Sequence, residues 1–166
     1  VYHVGGALPT ARELGEQLLS LGQGVQDRAL LLEAHRALGS TLYTMGELAP
    51  ARTHFDLAFA LYDPRQHRSH ASLYGQDPGV VCLAYGAWAL WMLGYPDQAL
   101  RQGLEALTLA RELSHPFSLA YALCHAALVH QFRREVPLTH GQAEPLLALT
   151  GEYEVPSCLA RGTIPR

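Results

Sequence analysis

The sequence predicts an all-α fold in which antiparallel helix pairs repeat along one domain, 1–166. Three observations lead to this prediction. The chain contains 30 Leu and 23 Ala, which favour helices, against 8 Val and one Ile, which strands prefer. Capping residues and glycines mark the ends of successive helices. Matching residues recur at a fixed offset, which is typical of repeat architectures.

The predicted helix starts carry capping residues or prolines. Thr10 and Glu13 have the spacing of a capping box for a first helix over about 10–21. Asp27 suits the N-cap of the second helix and Asp77 that of the fourth. Proline is tolerated in a first turn, and Pro50, Pro96, Pro116 and Pro156 predict further starts. The other predicted helices span about 27–45, 49–62, 78–93, 96–113, 116–132 and 138–150, with an incomplete eighth from 156.

The predicted helix ends carry glycines or an Asp-Pro pair. A glycine just past a helix adopts the left-handed conformation at low cost, and proline cannot continue a helix. These signals lie at 22–24, Gly46, Gly94 and 63–64. Gly141 and Pro145 fall inside the seventh helix, so we expect that helix to start late, kink or be replaced.

The helices form pairs that repeat. The first copy contains Gly39, Leu42, Gly46, Ala51, Phe55 and Ala58, and the same positions recur 48 residues later as Ala87, Leu90, Gly94, Ala99, Gly103 and Ala106. A weaker third copy follows after 40 more residues, with Ala127, Thr139, Ala143 and Leu146. Small residues let two helices approach closely, and large ones fill the seam. The pattern predicts pairs at about 27–63, 78–113 and 116–150, with 63–77 as an inserted loop.

This alternation resembles the tetratricopeptide repeat (TPR), a helix-turn-helix unit of about 34 residues. The stretches LLEAHRALGSTLYTMGELAPAR (31–52) and LARELSHPFSLAYALCHAALVHQFRRE (109–135) further resemble the C-terminal TPR region of large bacterial signalling proteins with a nucleotide cyclase or other output domain and a STAND-type ATPase module. The resemblance implies a short right-handed superhelix and a non-catalytic arm for scaffolding or regulation. Because the chain begins with Val1, we expect it to be a fragment of such a protein.

Composition and motifs point away from several function classes. The chain has twelve basic and fifteen acidic residues, so it has no excess of basic residues for binding nucleic acid. No stretch has the roughly 20 apolar residues of a membrane span. The chain has no Lys and hence no P-loop, and it contains neither GxSxG nor HExxH. We therefore expect no enzymatic activity and no cofactor. Three cysteines without CxxC spacing favour a reducing compartment, and hence a cytoplasmic location.

The candidate binding site is a concave groove along the first helix of each pair. Its residues are Arg36, Ser40, Tyr43, Thr44, Trp88, Trp91, Tyr121 and Gln131. Aromatic rings supply contact area and Arg binds carboxylates, so the groove suits an extended or helical peptide. Two alternatives stay open. The Trp pair is covered by a neighbouring helix or by the 63–77 loop, or the groove closes over a small ligand as a sensor.

The 63–77 loop holds a second set of candidates: His67, Arg68, His70 and Tyr74. Its length favours either packing across the helix ends or a role in recognition. His67 and His70 are three residues apart, but zinc needs three or four ligands, so no metal site is predicted.

The last helix pair has no complete cap after Pro165-Arg166. An uncovered apolar helix face at that end predicts a symmetric homodimer through the C-terminal end of the chain.

Overall fold

The structure is a computed structural model that describes residues 7–67, 70, 71, 73 and 75–153, with side chains as far as 149. The described part contains seven α-helices and no strand, which confirms the all-α prediction. They are α1 (Leu8–Val25), α2 (Arg28–Thr44), α3 (Leu48–Leu61), α4 (Pro78–Met92), α5 (Pro96–Leu113), α6 (Pro116–Phe132) and α7 (Val136–Tyr153).

Neighbouring helices pack in pairs, and the pairs pack side by side. The closest packing joins α2 with α3, α4 with α5 and α6 with α7. Successive pairs meet through α3 with α4 and through α5 with α6, while α4 also contacts both α2 and α6. The helices α2, α4 and α6 therefore form one continuous row. Helix α1 packs on α2, the first helix of that row.

Several predicted helix ends are confirmed by their capping contacts. The Asp27 carboxylate accepts hydrogen bonds from the amides of Ala29 and Leu30 at 2.9 and 3.1 Å. Asp77 accepts one from the Val80 amide at 3.0 Å. Gly46 and Gly94 follow α2 and α4 with φ of +83° and +88°, the left-handed conformation that favours glycine.

The predicted bounds of the first helix are wrong at both ends. It begins at Leu8 after Ala7, which makes no side-chain cap, so Thr10 lies inside the helix and the capping box does not form. It also continues through the glycines at 22–24 to Val25. Gly22 lies so close to α2 that an added Cβ would be 3.1 Å from Leu31 Cδ2. This packing holds the helix where the local sequence alone favours its end.

The seventh helix is continuous where an interruption was expected. It runs from Val136 to Tyr153 with Pro145 inside it. Pro145 is exposed and cannot donate the hydrogen bond that residue 145 would otherwise make to the Gly141 carbonyl. Buried Ala143 and Leu146 hold the opposite face against the core. The incomplete eighth helix predicted from 156 lies outside the described residues.

Small residues let the paired helices approach closely. The Phe55 ring of α3 packs on Gly39 of α2, where an added Cβ would be 2.7 Å from Phe55 Cε1. In the second pair the large residue is replaced by Gly103, which faces Ala87 across the seam. The same two sequence positions are therefore packed in different ways in the first and second pairs.

Candidate functional site

A cavity of about 300 Å³ lies between α2, α4 and α6, along the row of first helices. Its lining combines charged, hydroxyl, amide and aromatic groups: Arg36, Ser40, Thr44, Gln76, Val81, Tyr85 and Tyr121. Four of these, Arg36, Ser40, Thr44 and Tyr121, belong to the groove that the sequence predicts.

Helix α2 supplies one wall as a row of three residues four apart. The Ser40 hydroxyl donates to the Arg36 carbonyl oxygen at 3.0 Å, and the Thr44 hydroxyl donates to the Ser40 carbonyl oxygen at 2.8 Å. These bonds fix the two hydroxyl groups against the helix. A hydroxyl oxygen that donates one hydrogen bond keeps acceptor capacity, so the Ser40 oxygen can also meet a donor of a bound molecule.

The charge at one end of this wall is balanced by a buried carboxylate. Arg36 Nε donates to Glu33 Oε2 at 2.6 Å, and His70 Nδ1 lies 2.8 Å from Glu33 Oε1. Glu33 is only 7% exposed. The contact with His70 ties the 63–77 loop to α2 beside the cavity, and Gln76 of the same loop joins the lining.

Tyr85 is the centre of an aromatic cluster that forms the opposite wall. Its ring centroid lies 5.3 to 6.3 Å from those of five other rings, namely Tyr43, Phe55, Trp88, Tyr121 and His125. Rings at these separations attract one another in edge-on and offset arrangements. The cluster therefore presents Tyr85 and Tyr121 to the cavity on a well-supported surface.

Both tryptophans of the predicted groove are packed against α6. The Trp88 indole stacks on His125 at 4.2 Å between centroids, and its Nε1 lies 3.4 Å from the His125 carbonyl oxygen. Trp91 stacks on Phe132 at 5.6 Å. Neither tryptophan lines the cavity. Helix α6 therefore covers this pair in part, and both indole rings remain half-buried.

Two further predicted groove residues lie outside the cavity lining. Tyr43 is half-buried against Tyr85 and Trp88, and Gln131 is exposed near the end of α6. Conversely, sequence reasoning left Tyr85 and Gln76 out of the candidate set. Tyr85 could have been found from its position one helical turn after Val81 and one before Trp88.

The described part of the 63–77 loop packs across the helix ends. His67 is buried, stacks on Tyr62 at 5.9 Å, and accepts a hydrogen bond from the Asp63 amide at its Nδ1. The rings of His67 and His70 lie 5.0 Å apart. The other two loop candidates, Arg68 and Tyr74, lie outside the described residues.

Among residues 7–67, 70, 71, 73 and 75–153, no three His, Cys, Asp or Glu side chains converge to hold a metal ion. Cys82 and Cys124 are both buried, and burial raises the pKa of the Cys82 thiol, which keeps it protonated. No helix of the described part combines the length and apolar character needed to cross a bilayer.

A buried polar network joins the starts of α4 and α6. The Tyr62 hydroxyl donates to Asp77 Oδ2 at 2.9 Å, while the Asp77 amide donates to Ser118 Oγ at 2.9 Å. Ser118 Oγ lies 2.9 Å from His115 Nδ1. Although it contains Ser, His and Asp, the network links Ser118 to the backbone of Asp77, and both residues are fully buried. It therefore connects helix ends and presents no nucleophile to solvent.

A second cleft, which sequence reasoning missed, lies between α3 and α5. It contains cavities of about 280 and 340 Å³ that share the lining residues Phe59, Leu83 and Glu105. The cleft exists because α3 and α5 pack on α4 rather than closely on each other. Arg52 and Arg101 line one end, and Glu112 lines the other.

No protein-family model matches this sequence, and a search of curated proteins finds no significant match.

Proposed function

We propose that this chain is a TPR-like, non-catalytic module that binds a protein segment along α2, α4 and α6, as a scaffolding or regulatory part of a cytoplasmic bacterial signalling protein. The observation that supports the proposal is the cavity between these three helices, with its hydroxyl row on one side and its tyrosines on the other. The segment belongs to a partner or to the parent chain.

The row of Arg36, Ser40 and Thr44 on α2 has a length that suits an extended peptide. Arg36, Ser40 and Thr44 span eight residues of helix, or about 12 Å at 1.5 Å per residue. An extended peptide rises about 3.3 Å per residue, so three or four of its residues lie along this row. The peptide amides can donate to the Ser40 hydroxyl oxygen, and the peptide carbonyls can accept from the Gln76 side-chain amide.

The aromatic wall supplies the apolar part of the contact. Tyr85 and Tyr121 are only half-buried, and each combines an apolar ring with a hydroxyl group. Since the Arg36 charge is already balanced by Glu33, the site does not demand a strongly acidic partner. A peptide with one apolar side chain against the exposed surfaces of the two tyrosines and with polar flanks fits this lining.

The small-ligand sensor is the less favoured alternative. It requires an opening beside Trp88 and Trp91, yet these rings pack on His125 and Phe132. A cavity of about 300 Å³ also lies at the lower limit of typical small-molecule sites, which enclose roughly 300 to 1,000 Å³.

The test uses peptides selected on the wild-type protein from a random display library and then labelled for fluorescence polarisation. Thr44→Trp places an indole in the groove, and Thr53→Trp is the matched control. Both threonines are exposed, and each donates its hydroxyl to the carbonyl four residues earlier. We expect Thr44→Trp to weaken binding by about tenfold or more, equivalent to about 1.4 kcal/mol, and Thr53→Trp to leave it unchanged. Equal binding to both variants, or no selected peptide, would contradict the proposal.

A further inference from the structure

Helix α1 carries a row of exposed large apolar residues. Leu14, Leu21 and Val25 are 44%, 56% and 60% exposed, and half-buried Leu18 completes the row. Their spacing of four, three and four residues places them along one stripe of the helix. We call Leu14, Leu18, Leu21 and Val25 the α1 stripe.

Residues with the same spacing are buried in the second helix of each pair. In α3 they are Ala51, Phe55 and Ala58, in α5 Ala99, Gly103 and Ala106, and in α7 Thr139, Ala143 and Leu146. Phe55 and Gly103 meet the preceding helix in the chain through Gly39 and Ala87. By comparison, α1 meets α2 through another face, where Gly15 and Gly22 lie against Leu38 and Leu31. The α1 stripe is thus a helix-packing face without a covering helix among the described residues.

The composition of the stripe indicates what kind of helix covers it. The equivalent rows of α3 and α5 are rich in Ala and Gly, which permit a close approach. The α1 stripe holds three Leu and one Val in the a/d spacing of a coiled coil, where large side chains interlock with a row of the same kind. A second α1 supplies such a row.

The charges of α1 do not oppose this pairing. The outer flank of the stripe holds Thr10, Gln17 and Gly24, which are uncharged. Arg12 is engaged with Glu16 and with Glu47, the residue that precedes α3, at 3.0 Å each. Two α1 helices can therefore approach without like charges meeting across the seam, and an antiparallel arrangement also opposes their dipoles.

We propose that a second copy of this chain covers the α1 stripe, so that two α1 helices pair antiparallel about a two-fold axis. Such an isologous contact uses the same patch on both copies. The 18 residues of α1 extend about 27 Å, and one helix pair of that length buries less than the roughly 800 Å² per partner of a standard interface. We therefore expect a weak dimer, with a dissociation constant on the order of 10 μM.

Sedimentation velocity over a concentration range spanning that constant tests the proposal. The wild-type chain should shift from monomer to dimer. Leu21→Glu should remain monomeric over this range, because it puts two carboxylates in the seam and raises the dissociation constant of the dimer at least about tenfold. Leu14→Glu tests the same stripe should Leu21→Glu fail to fold, as judged by circular dichroism.

Two controls carry the same change at other exposed leucines. Leu57→Glu lies on α3 and is 46% exposed, and Leu138→Glu lies on α7 and is 50% exposed. Both should dimerise like the wild type. A wild-type chain that stays monomeric throughout would overturn the proposal. So would loss of the dimer in Leu138→Glu with its retention in Leu21→Glu, which would place the contact at the C-terminal end.

Discussion

His35 on α2 and His54 on α3 contact each other through their Nδ1 atoms, which lie 2.9 Å apart. A hydrogen bond between two such atoms needs one donor and one acceptor, so a fully protonated pair cannot make it. Burial lowers the pKa of both imidazoles below the ordinary value of 6.5, and the charge of His54 lowers that of His35 further. The contact therefore links the packing of the first helix pair to pH.

We predict that the free energy of unfolding decreases as the pH falls below about 6.5. In that range the unfolded chain binds protons on these histidines more readily than the folded chain does, because the folded pKa values are lowered. His54→Gln keeps a hydrogen-bonding group for His35 but does not titrate, so its pH dependence should be shallower. The measurement is urea unfolding between pH 5 and 8, which brackets the ordinary histidine pKa of about 6.5.

The exposed His140 on α7 provides the control for this experiment. His140→Gln should have the same pH dependence as the wild type. A wild-type slope in His54→Gln would show that the contact with His35 does not carry the effect.

We predict that Tyr62→Phe costs about 1.5–3 kcal/mol, because it removes a hydrogen bond to a charged group. The hydroxyl donates to Asp77 Oδ2 at 2.9 Å, and Asp77 is fully buried. In an Asp77→Asn background the same change should cost only about 0.5–1.5 kcal/mol, the range for a neutral partner. Urea unfolding of the two single variants and the double variant completes a double-mutant cycle. Equal costs in both backgrounds would contradict a charged partner.

A separate prediction concerns the pH dependence that Asp77 itself contributes. Burial raises the pKa of this carboxyl, although hydrogen bonds from the Val80 amide and Tyr62 oppose the rise. The folded state therefore binds the proton more tightly than the unfolded state, and this contribution to stability declines as the pH rises from the ordinary value of 3.8 through the folded pKa. Asp77→Asn should remove that decline, measured by thermal unfolding in the acid range. A decline of the same size in the variant would assign it to other groups.

The sequence was most informative where structure depends on local chemistry. Asp27 and Asp77 cap helices through amides two or three residues away, and Gly46 needs only its own positive φ. Each of these features is fixed by a few consecutive residues. They could therefore be predicted without knowing which helices pack together, and the spacing of small residues added the pairing of α2 with α3 and of α4 with α5.

Features that depend on a distant partner were harder to predict. The three-residue spacing of Trp88 and Trp91 on α4 indicates that they share a face. It does not indicate that they pack on His125 and Phe132 of α6. The glycines at 22–24 favour a helix end, yet packing of Gly22 on Leu31 keeps α1 helical. In each case the deciding contact joins residues far apart in sequence or on different helices.

We predict opposite effects for alanine at two seam glycines. Gly103→Ala should stabilise the fold by about 0.5–1 kcal/mol, because alanine is the better helix former and its Cβ would meet only the Ala87 methyl, at 4.0 Å. Gly39→Ala should destabilise it by about 1–3 kcal/mol, because the new Cβ would be 2.7 Å from buried Phe55. Urea unfolding measures both. Phe55→Leu should recover part of the loss in Gly39→Ala, and stabilisation by Gly39→Ala alone would contradict the close packing.

The last prediction concerns the proline inside α7. Pro145 cannot donate a hydrogen bond to the carbonyl of Gly141, so Pro145→Ala should restore that bond and stabilise the fold by up to about 3 kcal/mol. Pro137 is the matched control, since it is also exposed in α7 but lies at the second helical position, where a backbone N–H would have no acceptor within the helix. Pro137→Ala should change stability by less than about 0.5 kcal/mol. Thermal unfolding of the two variants side by side measures the difference. Equal effects would mean that the helix is interrupted near Pro145, because only a continuous helix has a hydrogen bond to regain at that position and none at Pro137.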